Sequence, residues 1–359
     1  MAYTTINKHT DYFNTKLYTG TNAVQNVTGV GHQPDLVWIK DRSGTNSGSH
    51  NHNLIDAVRG APKILMSDTN AAEITNSTDA LTAFISDGFT LGANNAGDQS
   101  QELNGHTNGG NQYVSWNWKA GGGQGSSNTD GTINTTYTSV NTTAGFSISK
   151  YVGTGSVGTI GHGLGAVPKM IIVKKIEHAK DWRIYHASTG NTKQLFLNDT
   201  GAQDDDNTIW NDTSPTSSVF TVGTNDGGNG VGNTYIAYCF AEKTGYSKFG
   251  TFKGNGQTDG TFVYTGFKPN FVITKKSSGT ADWMIRDNKR DFNGQWRDLY
   301  ANNTNAETSP DSNTQSDLLS NGFKLRMSHS NHNESGGDYV YMAFGQSLVG
   351  SNNVPCTAR

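Results

Sequence analysis

One ordered phrase occurs three times along the chain, and it limits the possible folds more than any other feature. Tyr18-Thr19-Gly20-Thr21 leads to Gly31-His32-Gln33-Pro34 and Leu36-Val37-Trp38-Ile39-Lys40. Tyr151-Val152-Gly153-Thr154-Gly155 leads to Gly161-His162-Gly163, Pro168 and Met170-Ile171-Ile172-Val173-Lys174. Phe252-Lys253-Gly254-Asn255-Gly256 leads to Gly266-Phe267-Lys268-Pro269 and Phe271-Val272-Ile273-Thr274-Lys275. Each copy closes on an aromatic run: Tyr113 to Trp118, Tyr235 to Phe240 and Tyr339 to Phe344. A period of roughly 100–130 residues is too long for a solenoid repeat and is the size of a small domain.

Within a copy, Leu36 to Ile39, Met170 to Val173 and Phe271 to Ile273 are apolar at consecutive positions, as in a strand covered on both faces. The closing strand alternates. Val114, Trp116 and Trp118 share one face, and so do Ile236, Tyr238 and Phe240, and Val340, Met342 and Phe344. The remainder is rich in Asn, Thr, Ser and Gly, with 44 Gly and only 16% charged residues, which suits strands and tight turns rather than long helices. The expected fold is all-β: three tandem antiparallel β-sandwich modules of jelly-roll type. The expected boundaries are an N-terminal arm at 1–16 and modules at 17–120, 129–246 and 247–359, with a flexible Gly/Ser linker at 121–128. The arm is expected to be ordered by another chain, and module one to hinge on the linker. A short turn of helix is expected over Thr78 to Ile85.

A net charge of −3 lacks the basic footprint of a nucleic-acid binder. No apolar run reaches membrane-spanning length, so no membrane insertion is expected. Cys239 reads as a small buried hydrophobe, and Cys356 lies in the polar C-terminal stretch.

Lining up the copies sorts the conspicuous side chains. Trp116 and Trp118 could form a sugar-stacking platform, but the same slots are large and apolar in every copy, so core packing is expected. Trp182 and Trp283, each after an Asp, recur at one position and read as core anchors. Trp210 and Trp296 have no counterparts and are the candidates for exposed contacts, together with the acidic turn Asp204, Asp205 and Asp206. His50 and His52, two apart on a strand, have a spacing that can hold a transition metal. The alignment of His52 with Trp283 favours a wall position instead. Asp56 with Arg59 recurs as Asp287 with Arg290, which reads as a loop-fixing ion pair. No nucleophile elbow, Walker loop, zinc-spaced cysteine pair or calcium loop is present, so neither catalytic residues nor a cofactor are expected.

Gly161-His162-Gly163-Leu164-Gly165-Ala166-Val167-Pro168-Lys169-Met170, Asn211-Asp212-Thr213-Ser214-Pro215, Tyr235 to Gly250 and the ending Asn353-Val354-Pro355-Cys356-Thr357-Ala358-Arg359 are distinctive phrases. Together they resemble the repeated virion structural proteins of marine tailed bacteriophages, over about Tyr18 to Arg359. The resemblance implies a part of the particle, in a tail fibre, tail tip or capsid-surface knob, and it brings no catalytic residues. The expectation is a non-enzymatic virion protein that attaches to the host surface, assembled in the host cytoplasm. Its partners would be other virion proteins, further copies of itself (a trimer among them) and a host surface glycan or protein. A capsid decoration without a receptor is the alternative, and a glycan-degrading tailspike enzyme is the alternative of another class.

Overall fold

The computed structural model describes residues 3–43, 50–76, 80–93, 103–105, 110–290, 297–308 and 315–351. The expected helical turn begins outside these residues, and Leu81 to Ile85 is a strand. Copy one contributes β1 (Phe13–Thr19), β2 (Gln25–Thr28), β3 (Leu36–Asp41), β4 (Asn53–Asp56), β5 (Lys63–Met66), β6 (Ile74–Thr75), β7 (Leu81–Ile85), β8 (Gly88–Leu91) and β9 (Gln112–Trp118). Copy two contributes β10 (Thr135–Asn141), β11 (Phe146–Val152), β12 (Gly158–Gly161), β13 (Pro168–Lys175), β14 (Arg183–His186), β15 (Lys193–Phe196), β16 (Asp204–Asp205), β17 (Val219–Val222) and β18 (Thr234–Ala241). Copy three contributes β19 (Ser247–Lys253), β20 (Phe262–Tyr264), β21 (Lys268–Lys276), β22 (Met284–Asp287), β23 (Leu299–Tyr300), β24 (Ser316–Leu319), β25 (Gly322–Leu325) and β26 (Asp338–Gln346).

Each copy is an antiparallel sandwich of one wide and one small sheet. The wide sheets share one strand order, β1-β9-β3-β4-β5, β11-β18-β13-β14-β15 and β19-β26-β21-β22-β23. The small sheets are β2-β8-β7, β12-β17 and β20-β25-β24. The doubly apolar strands are explained by what lies on each side. Leu36 and Trp38 face one apolar cluster, while Val37 and Ile39 face another, between the wide and small sheets of copy one. Ile172 opposite Ile171 and Val173, and Ile273 opposite Val272, repeat this division.

The first of those clusters is common to all three copies. Trp116 and Trp118, Tyr238 and Phe240, and Met342 and Phe344 all enter it, so the three wide sheets turn one face toward a single centre. Trp118 packs edge-on against Phe240, Phe271 and Phe344 there, which joins three copies through one ring. The modules expected from the sequence are therefore walls of one body with a shared core.

The joints between walls repeat in rotation. The Glu73 amide donates to the Ile176 carbonyl (2.8 Å), Gln203 to Ser277 (2.9 Å) and Glu307 to Arg42 (3.1 Å). These bonds run from copy one to two, two to three and three to one, which closes the ring. The indole of Trp182 donates to the Met66 carbonyl and that of Trp283 to the Phe196 carbonyl, both at 2.8 Å.

Two expectations about mobility are corrected. The Gly-rich linker is pinned, because the Asp35 carboxylate accepts from the amides of Ala120 (2.7 Å), Gly122 (3.0 Å) and Gly123 (2.7 Å). Composition signals flexibility only where no acceptor gathers the freed amides. The N-terminal arm is ordered by its own chain rather than another. Ile6 is buried in the central core, His9 bonds to Gln346, Asn7 accepts from Ser351, and Tyr3 donates to Gly266. The arm thus seats on copy three and seals the ring.

Candidate functional site

The inward surfaces serve the shared core, which leaves the outward ones to face solvent. The small sheets are the outward layer. Their pairing aligns Val27, Ile160 and Val263, each opposite a phenylalanine (Phe89, Phe220 and Phe323). All three are buried. The positions on either side differ between copies: exposed Asn26 and Thr28 in copy one, Thr159 and a buried Gly161 covered by Asn128 in copy two, and exposed Phe262 and Tyr264 in copy three.

Phe262 is 42% exposed and Tyr264 is 56% exposed, so both rings are presented to solvent where the other copies have small or polar residues. Two apart on one strand, they lie about 7 Å from each other along it. The local sequence makes room for them. A Cβ on Gly322 would come to 3.0 Å from the Phe262 ring, so that ring lies over bare backbone. Gly266, at φ +84°, accepts from the Tyr3 hydroxyl at 2.8 Å, and a Cβ there would meet that same oxygen. Tyr3 thereby joins the face from the N-terminal arm. Partial burial, then the neighbouring Tyr264, raise its pKa above the usual tyrosine value. The rim is ionic: Lys324 pairs with Asp259 at 2.6 Å, and Arg326 grips Asp317 through Nε and Nη2 at 2.6 Å. Three partly exposed aromatic rings with hydroxyls and paired charges beside them can stack on the apolar face of a sugar or cover an apolar side chain.

The residues singled out from sequence lie elsewhere. His50 bonds through Nδ1 to the Asp41 carboxylate at 2.5 Å. Burial pushes that carboxyl up, but donors from His50, Asn111 and Ser43 outweigh it and hold its pKa below the usual value. His52 is fully buried, its Nδ1 accepting from the Trp38 indole at 3.0 Å, and burial holds its pKa well below the ordinary histidine value. Among the described residues no three His, Cys, Asp or Glu side chains are grouped as metal ligands would be. His52 occupies the slot of Trp182 and Trp283 and lies beside the Tyr300 carbonyl, but its Nε2 makes no hydrogen bond there, whereas those indoles donate to Met66 and Phe196. It is the wall position that the alignment with Trp283 suggested.

Trp210 is corrected from an exposed contact to a core residue. It is 2% exposed, at the end of the short helix α1 (Asn207–Trp210), and packs edge-on against Tyr185. Among the described residues, copies one and three have no such helix at that point. Asp206 caps α1 by accepting from the Thr208 amide, and Asp204 and Asp206 both accept from Gln194. Asp205 pairs with Lys193. The acidic turn is thus tied to its own sheet. Trp296 and Cys356 lie outside the described residues. The recurrent pair takes the expected form and extends across a joint: Asp56 holds Arg59 and accepts from Tyr238 of copy two at 2.7 Å. A shallow depression of about 240 Å³, lined by Leu17, Tyr18, Thr19, Arg42 and Gln112, has its cation committed to Glu307 at 2.8 Å.

Sequence reasoning passed over Phe262 and Tyr264. The signal was available, since Thr261-Phe262-Val263-Tyr264 alternates where Gly158-Thr159-Ile160-Gly161 has only small residues around its Ile. Rings were sought among tryptophans instead.

No curated protein and no solved structure matches the chain. One family model matches residues 8–347, a span that takes in all three copies and the seated part of the N-terminal arm. The chain belongs to the DUF7483 family, a domain of unknown function.

Proposed function

We propose that the protein is a non-enzymatic structural component of a tailed-bacteriophage particle that attaches to the host surface through the aromatic face of its third copy. The observation that carries this reading is that solvent-presented rings occupy the small-sheet slots in one copy of three. The other copies build the same strand with small or polar residues at these positions, which leaves the Phe262 and Tyr264 rings available to a partner outside the chain. The closed ring adds to this, because a body with one shared core gives such a face a stiff support. The resemblance to marine phage virion proteins supplies the setting, with other virion proteins and a host glycan or surface protein as partners. Self-association, if it occurs, adds reach and avidity rather than completing the fold.

A second reading, particle decoration without a receptor, is favoured by the N-terminal arm. That arm is spent on closing its own chain, as the Ile6 and His9 contacts indicate. One experiment separates the readings. Labelled protein is titrated onto host cells alongside Phe262→Thr/Tyr264→Thr, which gives copy three the outward polarity of the others. Binding weakened at least tenfold, with an unchanged melting temperature, is the expected result. Unchanged binding overturns the attachment face, and no binding by either form, with gold labelling over the head, favours decoration. Release of reducing sugar from host polysaccharide would overturn the non-enzymatic reading.

A further inference from the structure

The three borders of the ring are not alike in chemistry. At the border of copies one and two, the bridging groups are the Asp56 carboxylate with the Tyr238 hydroxyl, and the Trp182 indole on Met66. Among the described residues, no buried histidine bridges that border. Copy three, by contrast, adds three buried or largely buried imidazoles to its indole, backbone and ion-pair contacts with the rest of the chain. His52 of copy one lies beside the Tyr300 carbonyl, with no hydrogen bond formed at its Nε2. His186 of copy two lies 3.2 Å through Nε2 from the Tyr341 carbonyl. His9 of the N-terminal arm lies 3.1 Å through Nδ1 from Gln346 Oε1.

The hydrogen-bond network fixes each ring in one neutral tautomer. In each case the remaining nitrogen already accepts from an N–H group. For His52 the donor is the Trp38 indole at 3.0 Å. For His186 it is the Ser188 amide at 3.2 Å. For His9 it is the Asn270 amide at 2.7 Å, whose orientation is set by Asn288 donating to its oxygen. A second proton on any of these rings would point at a donor, which loses the bond and adds a buried charge.

We propose that copy three is an acid-releasable part of the ring, and that protonation of His9, His52 and His186 opens its two borders and its N-terminal seal while the border of copies one and two stays closed. The charged neighbours oppose the added protons more than they help. Lys40 and Arg290 face His52, and the Asp68 carboxylate is engaged by the His52 backbone amide. Lys289 and Lys8 face His9, with Asp11 on the other side. His186 meets the Tyr341 carbonyl and the Ser188 amide. Burial lowers the pKa of all three rings, that of His186 to about 4. The closed form therefore prefers neutral imidazoles. Its stability is fully present above the unfolded histidine value of about 6.5 and is lost as pH falls below it, by up to about tenfold per ring per pH unit.

Hydrogen exchange read by mass spectrometry on the full chain, corrected for the intrinsic pH dependence, tests this. Between pH 7 and pH 5, protection in 3–12, β22, β23 and β26 is expected to fall about 100-fold or more, and well before that in β3 and β4. His9→Gln/His52→Trp/His186→Gln, which places at residue 52 the side chain found at Trp182 and Trp283, is expected to reduce that fall to less than tenfold. His162→Gln removes a buried histidine whose bonds, to Thr216 and Leu164, stay inside copy two, and it is expected to keep the full fall. Should the triple variant not fold, His9→Gln and His186→Gln singly are each expected to lessen the fall several-fold. Simultaneous loss of protection in all three copies, or an undiminished fall in these variants, overturns the proposal.

Discussion

Lys40, Lys174 and Lys275 occupy one slot of the repeat, opposite Val114, Ile236 and Val340 on the closing strands. Each is at most 1% exposed. Their ammonium groups are held by backbone carbonyls, with Lys40 reaching Thr304 (2.8 Å) and Lys275 reaching Thr200 (2.9 Å) across the joints. Lys174 turns to the neighbouring Lys175 carbonyl (2.7 Å). Burial is the largest influence on all three and pushes each pKa down to about 8. The unfolded chain keeps these protons up to about pH 10.4, so it binds more of them than the fold does above pH 8. Stability is therefore expected to be flat just below pH 8 and to rise between about pH 8 and 10, on the order of 2 kcal/mol per lysine. Above that, the raised pKa values of buried Tyr151 and Tyr238 reverse the slope, since the unfolded chain releases those protons first. Urea denaturation across this range checks the rise, and Lys174→Met should remove about a third of it. At this scale the repeat made much legible. Side chains that recur, such as Trp116, Trp182 and Trp283, read as core residues from sequence alone and are buried. Trp210 was misplaced because absence of a counterpart was equated with exposure, whereas it fills a local core from the end of α1.

The strands themselves were readable from alternation and from paired apolar runs, because a β-strand writes its burial into successive residues. The connections were not. Ala120 to Gly125 looks like a tether by composition, and nothing local in it reveals that Asp35, some 85 residues earlier, gathers three of its amides. Replacing that carboxylate removes the acceptor and leaves buried amides unpaired. Asp35→Ala is expected to lower stability by about 2–3 kcal/mol and to speed amide exchange at 120–123. Unchanged stability with continued protection there would show that the segment is held by something else. The N-terminal arm was misread for a similar reason. Its polar sequence carries no periodicity, and its partners Gly266, Gln346 and Ser351 lie at the far end of the chain.

On the scale of the whole molecule, three sandwiches share one apolar centre. The faces that form it were identified in sequence as one side of each closing strand, namely Val114, Trp116 and Trp118 with their equivalents. That those three sides meet one another could not be read, because a single copy's pattern is equally satisfied by a private core or by a neighbour's sheet. The distinction is thermodynamic as well as geometric. With all borders closed, walls that share a core expose it together, whereas separate domains unfold one by one. Scanning calorimetry of the full chain at pH 8, where the histidines are neutral, decides between them. A single transition whose calorimetric and van't Hoff enthalpies agree is the expected outcome. Two or three resolved transitions, each with the enthalpy of a domain of about 100 residues (roughly 70 kcal/mol), would contradict the shared core.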